Sequence, residues 1–447
     1  MELLSLNFGQ CGIQLADTYW TNLANNFTDN FGENGPYTSF YTIKKDAEFD
    51  IKNPDFSVLN PRCLLIDTET GTSDKILANA NQNLFTKYNV LSQDESYVGN
   101  FINVFNDLGP KYWKSIKRYV AKMMEKCNHL EYFNLTFGIG AVTGSALGSY
   151  TAQMLNKTYP KIPVISNVVY DKNSSPIAPY NNMFSLSVLQ DCSTMIIPFS
   201  NNNIIESIKK TTKMKYINEK KDYFNLVNSV ISNFTQLFNN VTVFPDSRHH
   251  RIGTLKNTLL PFEKMNYTCP LKSPVIEQSP NRKYLLDDLY DDLFIPETRI
   301  SPIPTNSNMM PITISVLNGV KNSNLVYSSI RRMKNGSFTW RNEEGKISAN
   351  SFSQSRAITT TKPLIALTNH TGISHYLDRL CDNVESLFHK KAFIHQFKDL
   401  IDEDEIRLNM MKLRETSDMY KVQDELISAQ VQEEMGVNEE TETQQEQ

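Results

Sequence analysis

The sequence predicts a doubly wound, parallel-sheet α/β domain over roughly the first 200 residues, and three observations carry that prediction. The apolar run Cys63–Ile66 is unbroken, as a strand buried on both faces of a parallel sheet requires, and Tyr132–Phe137 is a second largely apolar run. Segments with helical spacing alternate with these runs. Glycines cluster at two strand-to-helix junctions, Gly9–Gly12 and Gly140–Gly148. A long central helix, a smaller α+β domain, a C-terminal helical pair and an acidic tail complete the predicted architecture.

In chain order, Met1–Phe8 reads as a short strand, Gly9-Gln10-Cys11-Gly12 as a turn and Ile13–Phe27 as a helix. Ile13, Ala16, Tyr19, Trp20, Leu23 and Phe27 share one face of that helix. Cys63–Ile66 is the next strand and leads to Asp67 and Glu69. Pro110–Leu130 is strongly amphipathic, with Trp113, Ile116, Val120, Met123, Met124 and Cys127 on one side. Strands follow at Tyr132–Phe137, Pro163–Tyr170 and Thr194–Phe199, and Phe224–Val241 is the central helix. Ile312–Val316, Ser337–Trp340 and Pro363–Leu367 read as strands of the smaller domain, and "DDLYDDLF" as helical. Ile373–Phe397 and Glu405–Gln430 are long helical patterns. The end, "QEEMGVNEETETQQEQ", lacks apolar anchors and reads as disordered. The predicted units are 1–222, 223–241, 242–367, 368–430 and 431–447.

The 447 residues allow two or three domains, and 40% hydrophobic with 21% charged residues is ordinary globular composition. A formal charge of −4 gives no reason to expect nucleic acid as a partner. No apolar run approaches a membrane span, and the N-terminus has no basic region followed by an apolar one. The six cysteines are scattered, without CxxC or metal-ligand spacing, and read as reduced thiols of a cytosolic protein.

Both glycine turns fall on one edge of a parallel sheet, where helix N-termini point N–H groups outward. Such groups form an anion nest, and Thr143 and Ser145 add hydroxyl donors. Asp67 and Glu69 end a neighbouring strand on the same edge, and carboxylates beside a phosphate site commonly hold magnesium. The constellation points to a Mg-nucleotide. Taken alone, Gly9–Gly12 is equally a structural turn, and Asp67 is equally a cap for the next helix. Gly138-Ile-Gly140 opens like a dinucleotide fingerprint. Thr143 stands where the third glycine is needed, however, and no acid appears before Asp171, so a nicotinamide site is disfavoured. "SRHHR" (247–251) lacks a third ligand for a metal, and "KKTTKMKYINEKK" reads as a solvated basic surface.

Together these segments resemble the tubulin superfamily along almost the whole chain. "GQCG" followed by Gln14 and a helix carrying Trp20 resembles the first nucleotide loop. "LLIDTETGTSD" resembles the strand and loop with an aspartate and a glutamate two apart. "GAVTGSALG" stands where tubulins have GGGTGSG, and "APYNNMFSL" resembles the EPYN segment beside the ribose. "LIALTNHT", "KKAFIHQF", "DEDE" and the acidic end resemble the closing region. The resemblance implies GTP or GDP with Mg2+. It implies that Gln10 and Cys11, between Gly9 and Gly12, contact phosphates and base, and that Glu69, with Asp67, serves the metal. By the same resemblance Gly140, Thr143, Gly144 and Ser145 cradle the β- and γ-phosphates, Asn202 reads guanine, and Tyr223 stacks on it. Asparagine suits guanine because its amide both donates and accepts.

The departures from the family pattern are equally specific. Ala141, Val142 and Ala146 replace signature glycines, and β-branched Val142 is tolerated only with ordinary dihedrals. Ala178 replaces the ribose-side glutamate, and Val227 stands where a second guanine-reading asparagine belongs, with Asn225 and Asn228 close by. In "RIGTLKNTLLPF", Thr254 replaces the glutamate by which α-type tubulins activate water on the next subunit's GTP, and no carboxylate is near. No catalytic residue is therefore assigned. This divergence is similar to delta, epsilon or rarer tubulins. It implies a cytoplasmic, cytoskeletal protein of microtubules, basal bodies, centrioles or cilia, with head-to-tail tubulin partners and microtubule- or centriole-associated proteins. Two functions follow: a GTP-binding subunit with at most weak, partner-dependent GTPase activity, or a nucleotide-independent adaptor on a tubulin scaffold.

Overall fold

The structure is a computed structural model. It describes residues 1–27, 37–44, 47–50, 55–78, 84–92, 100–172, 175–212, 220–243, 251–260, 262–276, 283–285, 288–289, 292–293, 295, 299–304, 311–317, 359–360, 363–397 and 400–445. Six apolar strands pair in parallel: β1 (Glu2–Phe8), β2 (Cys63–Asp67), β3 (Val90–Ser92), β4 (Leu130–Gly138), β5 (Val164–Tyr170) and β6 (Met195–Ser200). Their order is β3-β2-β1-β4-β5-β6, so the winding reverses between β1 and β4. Register places Phe8 beside Phe137 and Ile66, so these strands end together at one carboxyl edge.

Alternation along β1 sorts the core into two layers. Leu4, Leu6 and Phe8 enter a cluster with Trp113, Ile116, Leu147 and Leu186. Leu3 joins Ile13, Trp20, Ile204, Val230 and Phe234 on the opposite face. The helices that supply these layers are α1 (Gly9–Asn25), α2 (Gly71–Ala78), α3 (Gly109–Met124), α4 (Val142–Thr158), α5 (Ala178–Cys192), α6 (Asn201–Thr212) and α7 (Lys220–Val243). Helix α7 is the expected central helix. Tyr132 Oη donates to Asn239 Oδ1 at 2.8 Å, and Asn239 Nδ2 donates to Tyr19 Oη at 3.0 Å. This buried chain locks α1, β4 and α7 together, because each polar atom would otherwise lose water without replacement.

Beyond α7 come α8 (Ile252–Leu259) and a three-stranded antiparallel sheet of β7 (Cys269–Ser273), β8 (Pro311–Leu317) and β9 (Leu364–His370), with β9 central. Two helices close the chain, α9 (Ile373–His389) and α10 (Glu403–Gln445). Asp288–Leu289 and Asp292–Leu293 are helical, as "DDLYDDLF" predicts, and Leu289 and Leu293 are buried. The expected strand Ser337–Trp340 and most of "SRHHR" lie outside the described residues.

Several boundaries differ from expectation. The turn expected at Gly9–Gly12 is compressed into one residue: Gly9, at φ +67°, directly starts α1. Helix α3 ends at Met124, and Leu130 already belongs to β4. Helix α9 stops at His389, where Lys391 and Phe393 take left-handed φ values of 53° and 63° that no helix continues through. Helix α10 continues to Gln445, through the segment whose composition predicts a disordered tail. Glu and Gln are good helix formers, and a helix satisfies its own backbone hydrogen bonds without an apolar face.

Candidate functional site

In an open α/β sheet, ligands sit outside the carboxyl ends of the strands where the winding reverses. Here that point lies between β1 and β4, and both predicted glycine segments meet there. A Cβ on Gly9 would lie 3.1 Å from Gly144 N, so the N-termini of α1 and α4 nearly touch. A Cβ on Gly144 would lie 2.9 Å from Gly138 O and 3.2 Å from Phe8 O. One on Gly12 would lie 2.3 Å from Thr136 O. These glycines are set by close backbone approach, and at Gly9 by positive φ as well. First-turn N–H groups of both helices have no intrahelical acceptor, so the edge presents converging donors.

The substituted glycines keep this cradle. Ala141 is extended, at φ −90° and ψ 146°, and Val142 begins α4; neither has positive φ. Ala146 is buried within the helix. Thr143 Oγ1 lies 3.0 Å from Thr68 Oγ1, tying the loop after β2 to the start of α4. Gly140 is buried, and its carbonyl accepts from Asn181 Nδ2 at 2.9 Å. Ser145 departs from the expected role. Its Oγ donates to Val142 O and its N–H to Ala141 O, so both donors are spent inside α4.

Gln10 is exposed and Cys11 half-buried at the start of α1, beside Gly12. Burial, with a smaller effect of the Asp171 charge, pushes the Cys11 thiol up to about 12, so it stays protonated. Asp67 is buried and accepts from the Thr68 N–H at 2.8 Å. It does not cap α2. Burial pushes its carboxyl up to about 6; hydrogen bonds from the Thr68 and Glu69 backbone oppose this, and the Glu69 charge adds to it. Glu69 is exposed next to it. Among the described residues no three acids, histidines or cysteines cluster as a metal cage. Asp67 and Glu69 therefore suit a magnesium ion that takes its other ligands from phosphate and water.

A second group forms farther along the edge. Asn202 Oδ1 accepts from the Lys172 N–H at 3.0 Å, and Asn201 Nδ2 donates to Asp171 Oδ2 at 3.4 Å. Tyr223, half-buried on α7, takes the Lys209 ammonium 5.2 Å from its ring centroid. Val227 is buried in the core, Asn225 exposed and Asn228 half-buried. Ala178 is buried at the start of α5. Asn181 and Asn201 have amide oxygens buried without a partner. Sequence reasoning missed Thr68, Asp171, Asn181 and Asn201. The available signal was position: Thr68 and Asp171 directly follow strands, Asn201 starts the helix after one, and Asn181 lies in the first turn of α5.

Thr254 is exposed in the first turn of α8. It lines an open groove of about 540 Å3 with His129, Glu131, Arg251, Gly253 and Lys256. The sequence places no carboxylate near Thr254, but the fold brings Glu131 into its groove from the amino end of β4. Glu131 Oε2 lies 3.3 Å from His129 Nε2, and the Glu131 side chain is 9% exposed.

The description "Tubulin/FtsZ family, GTPase domain" matches residues 2–209. The chain is 23% identical over 427 residues to the tubulin epsilon chain of Mus musculus, covering 87% of this chain and 88% of that one. It is 22% identical over 425 residues to the tubulin epsilon chain of Homo sapiens, with the same coverages of 87% and 88%. It is 20% identical over 410 residues to the tubulin alpha chain of Encephalitozoon cuniculi, covering 89% and 91%.

Proposed function

Since this chain belongs to the tubulin superfamily, with a Tubulin/FtsZ GTPase domain over residues 2–209, we propose that it is a divergent, non-α/β cytoskeletal subunit that binds GTP or GDP with Mg2+. The observation that carries the reading is the convergence of the α1 and α4 N-termini at the reversal of the sheet. Gly9 and Gly144 let the two backbones approach, and the Ala141, Val142 and Ala146 replacements leave that approach intact. The N–H groups of Gln10, Cys11, Thr143 and Gly144 hold phosphate, with Gly12 and Gly140 shaping the walls. Asp67 and Glu69 hold the metal through its remaining positions, and Asn202 and Tyr223 take the base. Bound magnesium supplies charge neutralisation on the phosphates.

Head-to-tail tubulin subunits are the proposed partners, with microtubule- or centriole-associated proteins on the outside. The site of action is the cytoplasmic cytoskeleton, at microtubules, basal bodies, centrioles or cilia. Thr254 is the residue proposed to face a neighbour's nucleotide. Its hydroxyl holds water by a hydrogen bond but cannot accept the proton at neutral pH, which makes the subunit a stable joint or cap with at most weak GTPase activity. The alternative, a nucleotide-independent adaptor, is favoured by the spent donors of Ser145 and by Ala178 and Val227, which remove polar contacts. Denaturing the purified native protein and chromatographing the released small molecules separates the two. Guanine nucleotide near one per chain supports the subunit, and its absence supports the adaptor.

A further inference from the structure

Val227 is buried in the core, so the second amide expected to read the base is missing. The carboxyl edge offers a replacement from another strand. We propose that the carboxylate of Asp171, with the amide oxygen of Asn201 beside it, selects guanine by accepting the N1–H and N2–H of the base. The assignment rests on the nucleotide reading above and deepens it.

Asp171 directly follows Tyr170, the last residue of β5, and Asn201 directly follows Ser200, the last residue of β6. Adjacent parallel strands thus deliver both side chains to the same edge, where Tyr170 pairs with Ser200. Asn201 Nδ2 donates to Asp171 Oδ2 at 3.4 Å, which orients the amide and turns its oxygen into a neighbouring acceptor. Asn201 is 8% exposed and that oxygen has no hydrogen-bond partner. A buried acceptor without a donor is costly unless something completes it. The group lies toward Cys11, whose Sγ is 3.5 Å from a Cβ placed on Gly138, and that same Cβ would lie 3.9 Å from Val169 O at the end of β5.

Donor and acceptor counts then discriminate between bases. A carboxylate accepts only, and guanine presents two adjacent donors, N1–H and N2–H. Asn202 has its Oδ1 occupied by the Lys172 N–H, which leaves its Nδ2 to donate, and guanine O6 accepts. Adenine presents N1 as an acceptor and carries an amino group at C6, so it meets the carboxylate with a lone pair. Xanthine carries a carbonyl at C2 in place of the amino group, and the carboxylate repels it. Inosine keeps N1–H but lacks the 2-amino donor.

Competition binding on the full chain tests the assignment, with GTP, XTP, ITP and ATP as the probes. Wild type should prefer GTP over ITP, XTP and ATP, with ITP about tenfold or more weaker, as the loss of one hydrogen bond to a charged group predicts. Asp171→Asn turns one acceptor into a donor. It should weaken GTP about 10- to 100-fold and strengthen XTP, a gain that misfolding cannot produce. Wild type that binds GTP and ITP equally overturns the assignment without any variant being needed. So does an Asp171→Asn variant that keeps the wild-type preference for GTP over XTP. Wild type that binds none of the four overturns the nucleotide reading itself, which distinguishes the two failures.

Discussion

Strand β4 runs between two unlike regions. At its carboxyl end, Gly138 opens into a cradle of closely packed backbones, two helix N-termini and buried asparagines. At its amino end, Glu131 enters an open groove with exposed Arg251, Thr254 and Lys256. The first region carries Ala141, Val142 and Ala146 where the family pattern has glycines, and none of them takes a positive φ; a nest needs N–H groups and ordinary dihedrals rather than glycine as such. The second presents Thr254 where the proposed function needs a glutamate, and no backbone arrangement replaces a carboxylate's ability to accept a proton. Binding by backbone tolerates substitution, whereas chemistry by a single side chain does not.

Introducing the carboxylate that the proposed function lacks gives the largest expected effect. In co-assembly with a GTP-loaded tubulin partner, Thr254→Glu should raise single-turnover hydrolysis of the partner's GTP by about 10²- to 10⁴-fold. This chain's own nucleotide affinity should not change. Because Glu131 shares the groove, Glu131→Gln is the control. Equal fast rates in wild type and Thr254→Glu, falling in Glu131→Gln, would move the missing function from residue 254 to residue 131.

Damage to the cradle comes next. Gly12→Ala forces a Cβ to within 2.3 Å of Thr136 O, a backbone atom that cannot swing aside. It should cost about 3 kcal/mol of stability and remove nucleotide binding together. Gly71→Ala, where a Cβ meets nothing within 4 Å, should leave both unchanged. Urea unfolding with and without GTP reads both effects.

A site away from both regions calibrates general instability. His370, at the end of β9, is buried, and its Nδ1 accepts the Gly372 N–H at 2.9 Å. Burial, helped by Arg299, pulls its pKa down from the usual 6.5 to about 3. The unfolded chain then binds the proton first, so stability is full above about pH 6.5 and falls as the pH drops toward 3. Urea unfolding at pH 7 and pH 5 should show an extra loss of about 2 kcal/mol in wild type that is absent in His370→Gln. The smallest effect is at the C-terminus. Truncation after Gln430 should leave the melting temperature unchanged, because its acids have no apolar anchor in the sequence. A clear drop would show that this end of α10 is docked.

Five strands of the sheet were legible because apolar runs and helical spacing are local signals, whereas the short, half-buried edge strand Val90–Ser92 carries too few apolar residues to announce itself. The cradle was legible through its glycines, since Gly9, Gly12 and Gly144 are each required by a close backbone approach. The direction of the Ser145 hydroxyl was not legible, because residue type says nothing of rotamer, and its Oγ turns back to Val142 O. The placement of Glu131 beside Thr254 and of Asn201 beside Asp171 was invisible because tertiary structure brings together groups far apart in the chain. The end of α10 differed because low apolarity predicts the absence of packing, which is not the absence of helix.

The most direct test of the account is equilibrium stabilisation of the wild-type chain by GTP, read beside Gly144→Val, whose side chain would fill the space between Gly138 O and Phe8 O. With free GTP at a hundred times its dissociation constant, the wild type should gain about 2.7 kcal/mol in urea unfolding, and the variant should gain none. The same concentration of ATP should stabilise neither. No stabilisation of wild type by GTP, in a preparation that also releases no guanine nucleotide on denaturation, would contradict the account.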